Sequence, residues 1–498
     1  MTSSDSLILG SYFFILTILA IYGWHRYFLV YLHKKYRANH DPQPVGQLER
    51  LPRVTIQLPI YNEMYVVDRV VQAACRIDYP RELLEIQVLD DSTDETQRIA
   101  ERAVERYAEQ GFDIRYIHRD DRTGFKAGAL DAGMRQATGE FIAIFDADFV
   151  PTADFLQRCM PHFADPTVAV VQARWGHINE NYSVLTKVQS MMLDGHFILE
   201  HGPRFLSGRF WNFNGTAGMW RRQAIVDAGG WEHDTLTEDM DLSYRAQMRG
   251  WRFVFLRNLV QPAELPVEMN GFKSQQHRWA KGATQVCRKM LPTILQSDLP
   301  LHIKAEAFFH LTGNFTFLLM VALSLLMFPA MVIRYNMGWY EMLLIDVPMF
   351  FAATWGVCDF YIVSQREIHE DWLKRMRYLP VLMSIGIGLS VNNARAVLEG
   401  LLNKQSEFAR TPKYGIESGT DEWVSKKYRQ SVLVQPLIEL GLGLYFTATV
   451  FYALANGIYG TVPFLVMFQF GFLYTGLMSV VQQYAGSVVV VKSEAAAK

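Results

Sequence analysis

The stretch FIAIFDAD, Phe141 to Asp148, runs five apolar residues into two aspartates separated by one alanine. A short apolar run rich in aromatic and β-branched residues, closed by polar ones, reads as a buried β-strand. The segments before it keep a regular rhythm: strand-like Val54–Leu58, helical Met64–Arg76, strand-like Leu84–Leu89, helical Glu95–Gln110. Strands alternating with helical patterns of this length predict βαβ units and a Rossmann-like, mostly parallel sheet, hence an α/β domain over residues 50–300. Ligands of such sheets bind beyond the carboxyl ends of the strands, so the polar residues following each strand are the ones to read for chemistry.

The rest of the 498-residue chain has a different composition. Half of all residues are hydrophobic, and they concentrate at 7–33 and beyond 305. A net charge of −2 argues against a nucleic-acid partner, which calls for a basic face. Cys75, Cys159, Cys287 and Cys358 share no Cys-x-x-Cys spacing, so neither a zinc site nor a disulfide framework is expected. The apolar run from Leu7 to Leu32 is longer than a signal-peptide core and is followed by His33, Lys34, Lys35, Tyr36 and Arg37. Basic flanks stay cytoplasmic, so residues 1–37 are expected to form an uncleaved anchor with the next domain on the cytoplasmic side.

Further spans are expected near 306–334, 341–364, 378–401, 432–456 and 460–482, each close to the ~20 residues that cross a bilayer core. The second half of 378–401 is amphipathic through Asn392, Asn393, Arg395 and Glu399 and reads as an interfacial helix after a short span. Lys404, Arg410, Lys413, Lys426, Lys427 and Arg429 make the loop 403–430 cytoplasmic. The chain thus reads as a multi-pass integral membrane protein, of a bacterial inner membrane or its equivalent, in contact with membrane lipids. Its membrane region covers 301–485 and a short tail 486–498, whose closing Glu494–Lys498 resembles a helical spacer.

Acidic and small residues follow the strands. The first leads into Tyr61, Asn62 and Glu63, the second into Asp90, Asp91, Ser92, Thr93 and Asp94. Carboxylates at neighbouring strand tips suit a ribose or base ring, and the same run suits a capped helix start. Arg122 to Gly128 brackets Lys126 with small residues at an expected helix start, which fits either a diphosphate or a solvated turn. Asp146 and Asp148 repel unless a cation neutralises them, and Mg²⁺ or Mn²⁺ with phosphate oxygens is the group expected there. The loop Phe213–Gly218 is small enough to admit a sugar ring. The acidic run Thr237–Asp241 offers either a base for an attacking hydroxyl or an N-cap for the following helix. Gln275, Arg278 and Trp279 combine an amide, a phosphate-binding fork and an aromatic face, while His277 between them reads as a helix-surface residue with no catalytic role.

Asp90-Asp91, Asp146-Ala147-Asp148, Thr237-Glu238-Asp239 and Gln275-x-x-Arg278-Trp279, in this order, resemble the processive family-two inverting glycosyltransferases. The likeness extends to the plant cellulose-synthase-like mannan synthases and xyloglucan-backbone glucan synthases through Val88–Asp94, Gln172–Trp175, Phe213–Gly218 and Gln275–Trp279, and covers roughly 50–480. It implies a GT-A catalytic domain fused to an α-helical transmembrane domain that forms a channel. Carried over to the matching positions, it implies that Asp90 and Asp91 bind the nucleoside, Lys126 the diphosphate, and Asp148 the metal with Asp146 beside it. It makes Asp239 the general base and gives Gln275, Arg278 and Trp279 the diphosphate and the acceptor end of the glycan. Tyr61 and Glu63 at the first strand tip join the nucleotide-sugar set. The family's gating loop has the form Phe-x-Val-Thr-x-Lys, and here Phe408, Thr411 and Lys413 match it with Arg410 where valine is expected. A cyclic-dinucleotide-binding domain of the bacterial cellulose synthases is not expected after the last span, nor is control of that type.

The expected activity is polymerisation of a β-linked, β-1,4 glucan, mannan or glucomannan from UDP-glucose or GDP-mannose, with translocation of the growing chain. One alternative is transfer of a single sugar to a membrane lipid acceptor. A more distant one is a non-catalytic transporter or scaffold, with Asp346, Asp359 and Glu439 marking a pathway.

Overall fold

The computed structural model describes residues 2–37, 41–338, 343–404, 410–424, 426 and 434–496. Phe408, Lys427, Arg429 and Lys498 lie outside the described residues. At the centre is a seven-stranded sheet of β1 (Val54–Ile60), β2 (Leu84–Asp90), β3 (Asp113–His118), β4 (Phe141–Ile144), β5 (Val168–His177), β6 (Gly218–Arg221) and β7 (Arg252–Ala263). Its order is β3-β2-β1-β4-β6-β5-β7. The first four strands run parallel, Val54 standing opposite Leu84 on one side and Phe141 on the other. β6 is antiparallel to both β4 and β5, and β5 pairs parallel with β7.

Every residue of β1, β2 and β4 is buried, which is why these strands read as nearly continuous apolar runs: helices cover both faces of a parallel sheet. One face packs Val54, Ile56 and Leu58 against Val67, Val70 and Val71 of the crossover helix Val67–Cys75. The other packs Ile142 and Ile144 with Leu130 of the helix Phe125–Gln136 and with Trp220 and Phe253. The few polar residues inside pair across β1 and β2, Thr55 Oγ1 donating to Glu85 Oε2 at 2.6 Å and Gln57 Nε2 to Gln87 Oε1 at 3.0 Å. Buried polar groups are tolerated when they find such partners. The carboxyl ends of β1, β2 and β4 therefore open together on one edge of the sheet.

Among the described residues, four helices are long and apolar enough to cross a membrane: Ser3–Tyr36, Leu301–Asn336, Val434–Ala455 and Tyr459–Tyr484. A fifth forms if Trp372–Gly388 and Ser390–Leu401, bent by 41°, count as one broken span. The helix Leu343–Ile368, expected as a span, is outside this set. It lies tight against Ser3–Tyr36, since a Cβ added to Gly23 would fall 2.9 Å from the Ala353 Cα; small residues let membrane helices approach this closely.

The helix Ser390–Leu401 turns its polar residues toward protein. Asn392 Nδ2 donates to the Lys273 carbonyl at 2.9 Å, and Glu399 meets both Lys281 and His277 at 3.3 Å. Its amphipathic pattern thus matches a polar neighbour, the long helix Met269–Gln296. Lys273 of that helix also donates to Glu439 Oε2 and to Ser479 Oγ, tying it to the apolar helices Val434–Ala455 and Val462–Ala496.

Candidate active site

A cavity of about 200 Å³ lies at the opened sheet edge. The turn after β1 brings Tyr61 and Glu63 to it, β2 brings Asp91, and β4 brings Asp146 and Asp148. Lys126 reaches it from the first turn of Phe125–Gln136, Asp239 from the first turn of Glu238–Met248, and Gln275, Arg278 and Trp279 from Met269–Gln296. Thr411 and Lys413 line it from the far end of the chain. Asp90 stands behind the wall: it is fully buried and accepts from Tyr116 Oη at 2.7 Å and from the Ser92 N–H at 3.0 Å.

Asp91 accepts a two-pronged pair of bonds from Arg119, at 2.8 and 2.5 Å, the geometry in which a guanidinium holds a carboxylate most firmly. The Arg122 guanidinium lies 3.2 Å from the centre of the Tyr61 ring, a cation–π contact over one rim of the cavity. The two aspartates after β4 are each neutralised by a lysine. Lys126 Nζ donates to Asp146 Oδ1 at 2.5 Å and to the Gly215 carbonyl at 2.9 Å. Lys413 Nζ donates to Asp148 Oδ2 at 2.5 Å and to the Glu264 carbonyl at 2.9 Å.

Asp239 accepts from the Met240 N–H at 2.8 Å through one oxygen. Burial, reinforced by the adjacent Glu238 carboxylate and opposed by Lys126, pushes its pKa up to about 7. Gly215, with a positive φ of 77°, passes directly beneath it; a Cβ there would lie 3.0 Å from Asp239 Oδ2. Only glycine combines that backbone with that clearance. Burial also raises Glu63 to about 7 despite the nearby Arg410, 3.5 Å away. Arg278 donates to Thr411 Oγ1 at 2.8 Å, so the helix Met269–Gln296 and the loop near 411 meet across the cavity.

A second cavity of about 580 Å³ shares Trp175, Asn214, Asp239, Gln275 and Trp279 with the first. It continues between the apolar helices, past Leu16, Leu19, Met320, Phe350 and Phe468. One wall is polar. Arg26 pairs with Glu200, whose other oxygen lies 2.6 Å from His196 Nδ1, and His196 Nε2 accepts from Asn214 Nδ2 at 2.9 Å. That acceptance places the His196 ring proton on Nδ1, facing Glu200. His196 opens a π-helical turn, His196–His201, of the kind often found at functional sites.

Glu264 lines the first cavity without having been singled out in the sequence, and Glu238, Arg122, Arg410 and Asn214, read there only as members of motifs or of a basic loop, line it as well. Glu264 follows β7 directly, so the strand-tip rule that selected Asp91 and Asp146 applies to it as well. Trp175, read there only as part of a motif, stands where the two cavities meet.

Residues 55–227 match the model of the glycosyl transferase family 2. The chain is 43% identical over 268 residues to glucomannan 4-beta-mannosyltransferase 2 of Arabidopsis thaliana, covering 53% of this chain and 50% of that protein. It is 36% identical over 391 residues to a probable glucomannan 4-beta-mannosyltransferase 7 of Oryza sativa subsp. japonica, covering 76% and 62%. The chain spans about half the length of most of the curated relatives it matches. Among solved structures, a Pyrobaculum calidifontis mannosyltransferase in complex with GDP-Man and Mn²⁺ shares the fold, with a TM-score of 0.51 and 20% identity over 80% of this chain and 99% of that one.

Proposed function

From a chain that carries a family-two glycosyltransferase domain and resembles the plant mannan synthases, we propose an inverting, membrane-embedded hexosyltransferase that polymerises a β-1,4-linked mannan or glucomannan. The observation that carries this reading is the position of Asp239 in the wall common to both cavities. A nucleotide sugar in the smaller cavity and a glycan end in the larger one would meet at its carboxylate. GDP-mannose, rather than UDP-glucose, is the donor favoured by the relatives' mannosyltransferase activity and by the ligand of the structural neighbour.

In this reading Asp239 takes the proton from the attacking acceptor hydroxyl, and inversion follows from attack opposite the leaving diphosphate. Lys126 and Arg278 supply positive charge on the leaving-group side, and Trp279 offers an aromatic face to the acceptor sugar. The carboxylates of Asp146 and Asp148, already accommodating one ammonium each, suit a divalent cation bound jointly with phosphate oxygens. Mg²⁺ or Mn²⁺ held there would neutralise charge building on the diphosphate. The basic residues after the first helix support a cytoplasmic catalytic domain.

The test is incubation of the detergent-purified protein with Mn²⁺ or Mg²⁺ and radiolabelled GDP-mannose or UDP-glucose, followed by sizing of the product. Long, mannanase-sensitive material from GDP-mannose is expected. Label recovered only in a lipid extract would replace this reading with single transfer to a lipid. Two further outcomes follow. The acid limb of kcat/KM should rise with pH through about 7, because Asp239 must be ionised to act and its free-enzyme pKa lies there. Gly386 lines the second cavity, and a Cβ placed on it meets nothing within 4 Å. Gly386→Trp should therefore fold, obstruct the product's path, and shift the product from polymer to short oligosaccharides on a sizing gel.

A further inference from the structure

No step of the proposed transfer uses His196 or Glu200, yet the two belong to a chain of contacts that ends beside Asp239. Glu200 is anchored by Arg26 through one oxygen and, at 3.8 Å, by Arg204 through the other. That second oxygen also meets His196 Nδ1 at 2.6 Å. A carboxylate only accepts, so it fixes the ring proton on Nδ1 and leaves Nε2 as an acceptor. Nε2 takes an N–H of the Asn214 amide at 2.9 Å. With its NH₂ turned to His196 the amide turns its oxygen away, and Asn214 Oδ1 has no hydrogen-bond partner among the described residues. The Asn214 backbone is held separately, its N–H donating to Gln172 Oε1 at 3.1 Å. Asn214 lines both cavities, and the next residue is Gly215, whose Cβ position would lie 3.0 Å from Asp239 Oδ2. The sugar hydroxyls nearest residue 214 are therefore those beside the bond being made.

We propose that Asn214 Oδ1 accepts a hydrogen bond from a sugar hydroxyl flanking the new glycosidic bond, the donor's at C2 or the acceptor's at C3, and that Glu200 and His196 are positioning residues that hold the amide in this accepting orientation. The inference rests on the reading of the chain as a β-1,4 hexosyltransferase with Asp239 as its base. A buried carbonyl oxygen left without a partner is costly, and a sugar hydroxyl is the donor that the reaction brings to this wall. The chain of contacts decides which face of the amide the sugar meets. Were the ring proton on Nε2, His196 would donate, the amide would turn over, and its NH₂ would face the hydroxyl instead. At C2 the contact would also tell mannose from glucose, which differ only in the direction of that hydroxyl.

The test is a deoxygenation penalty, the kcat/KM of the intact sugar over that of its deoxy analogue, measured on the full-length, detergent-purified protein. One arm compares GDP-mannose with GDP-2-deoxymannose; the other compares a short mannan oligosaccharide with the same acceptor lacking its terminal C3 hydroxyl. The intrinsic reactivity of a deoxy sugar cancels when variant and wild type are compared. In one arm Asn214→Ala should lower the penalty about 30-fold, the cost of leaving a buried acceptor unpaired, and the arm that responds names the hydroxyl. In the same arm His196→Phe, which leaves Glu200 its two arginines and should fold, is expected to lower the penalty about fivefold, the cost of fixing a side chain that is free to turn. His196→Gln should keep most of the penalty, because its carbonyl oxygen can stand where Nε2 stood. A merely structural role would lower kcat/KM for intact and deoxy sugars alike. An unchanged penalty in Asn214→Ala in both arms would overturn the contact, and an unchanged penalty in His196→Phe would overturn the positioning role. Absence of sugar transfer by the wild type from any donor would instead remove the proposed function, and this contact with it.

Discussion

Asp239→Asn should reduce sugar transfer by about 10³-fold, within the range a positioned general base contributes, while nucleotide binding measured by calorimetry stays close to wild type. Asparagine keeps the shape and the contact with the Met240 N–H but cannot accept the acceptor's proton. The variant should also be the more heat-resistant protein at alkaline pH. The native pKa of about 7 lies above the ordinary carboxylate value of 3.8. A raised carboxylate destabilises the fold progressively as pH climbs from the unfolded pKa toward the folded one, and the cost is fully present above about 7. Removing the charge should raise the melting midpoint at pH 8 and leave it little changed at pH 4 or below. Retained transfer in Asp239→Asn would displace the base from this residue.

The largest effect on stability is expected at Lys273. Its ammonium is buried with Glu439, Ser479 Oγ and the Thr475 carbonyl, and Glu439 in turn accepts from Gln435 at 3.0 Å. Lys273→Met leaves a carboxylate without its cation in a low-dielectric interior, a change that costs ~3–5 kcal/mol. The measurement is the thermal midpoint in detergent, where a steep drop is expected. The double variant Lys273→Met with Glu439→Gln, which removes both charges, should recover most of the loss, because the damage comes from the stranded partner. If the double variant is as unstable as the single, the pair acts through packing instead.

The strands β1, β2 and β4 were legible because each is an apolar run covered on both faces, with its chemistry placed just beyond its end, whereas the half-exposed, polar β3 carried no such pattern. β6 was not legible either. Gly218–Arg221 is four residues long and runs against its neighbours, too short for any periodicity to register. In the site, Lys126, Asp146, Asp148 and Asp239 could be picked out because each sits in a local pattern with its own physical meaning. The contact of Lys413 with Asp148 joins residues far apart in the chain, and no local pattern carries it. Asp90 shows the converse limit. Two adjacent aspartates look equivalent as letters, but alternation along the strand end turns one to the cavity and the other into the protein, onto Tyr116. Ser390–Leu401 was ambiguous for a related reason: amphipathicity reports that a helix has a polar neighbour, without saying whether it is a lipid headgroup or another helix.

The first helix has a consequence for how this protein can be taken apart. Leu16, Leu19, Gly23, His25 and Arg26 belong to the wall of the larger cavity, and Arg26 and His25 pair with Glu200 and Glu306. What looks in the sequence like a tether is thus a stave of the barrel. A version with this helix exchanged for a generic apolar anchor would keep a hydrophobic segment but have a breach in the wall of the larger cavity, where the proposed product chain would be guided. Under the proposed function, catalysis and passage of the product would share this scaffolding and could be redesigned only as one unit.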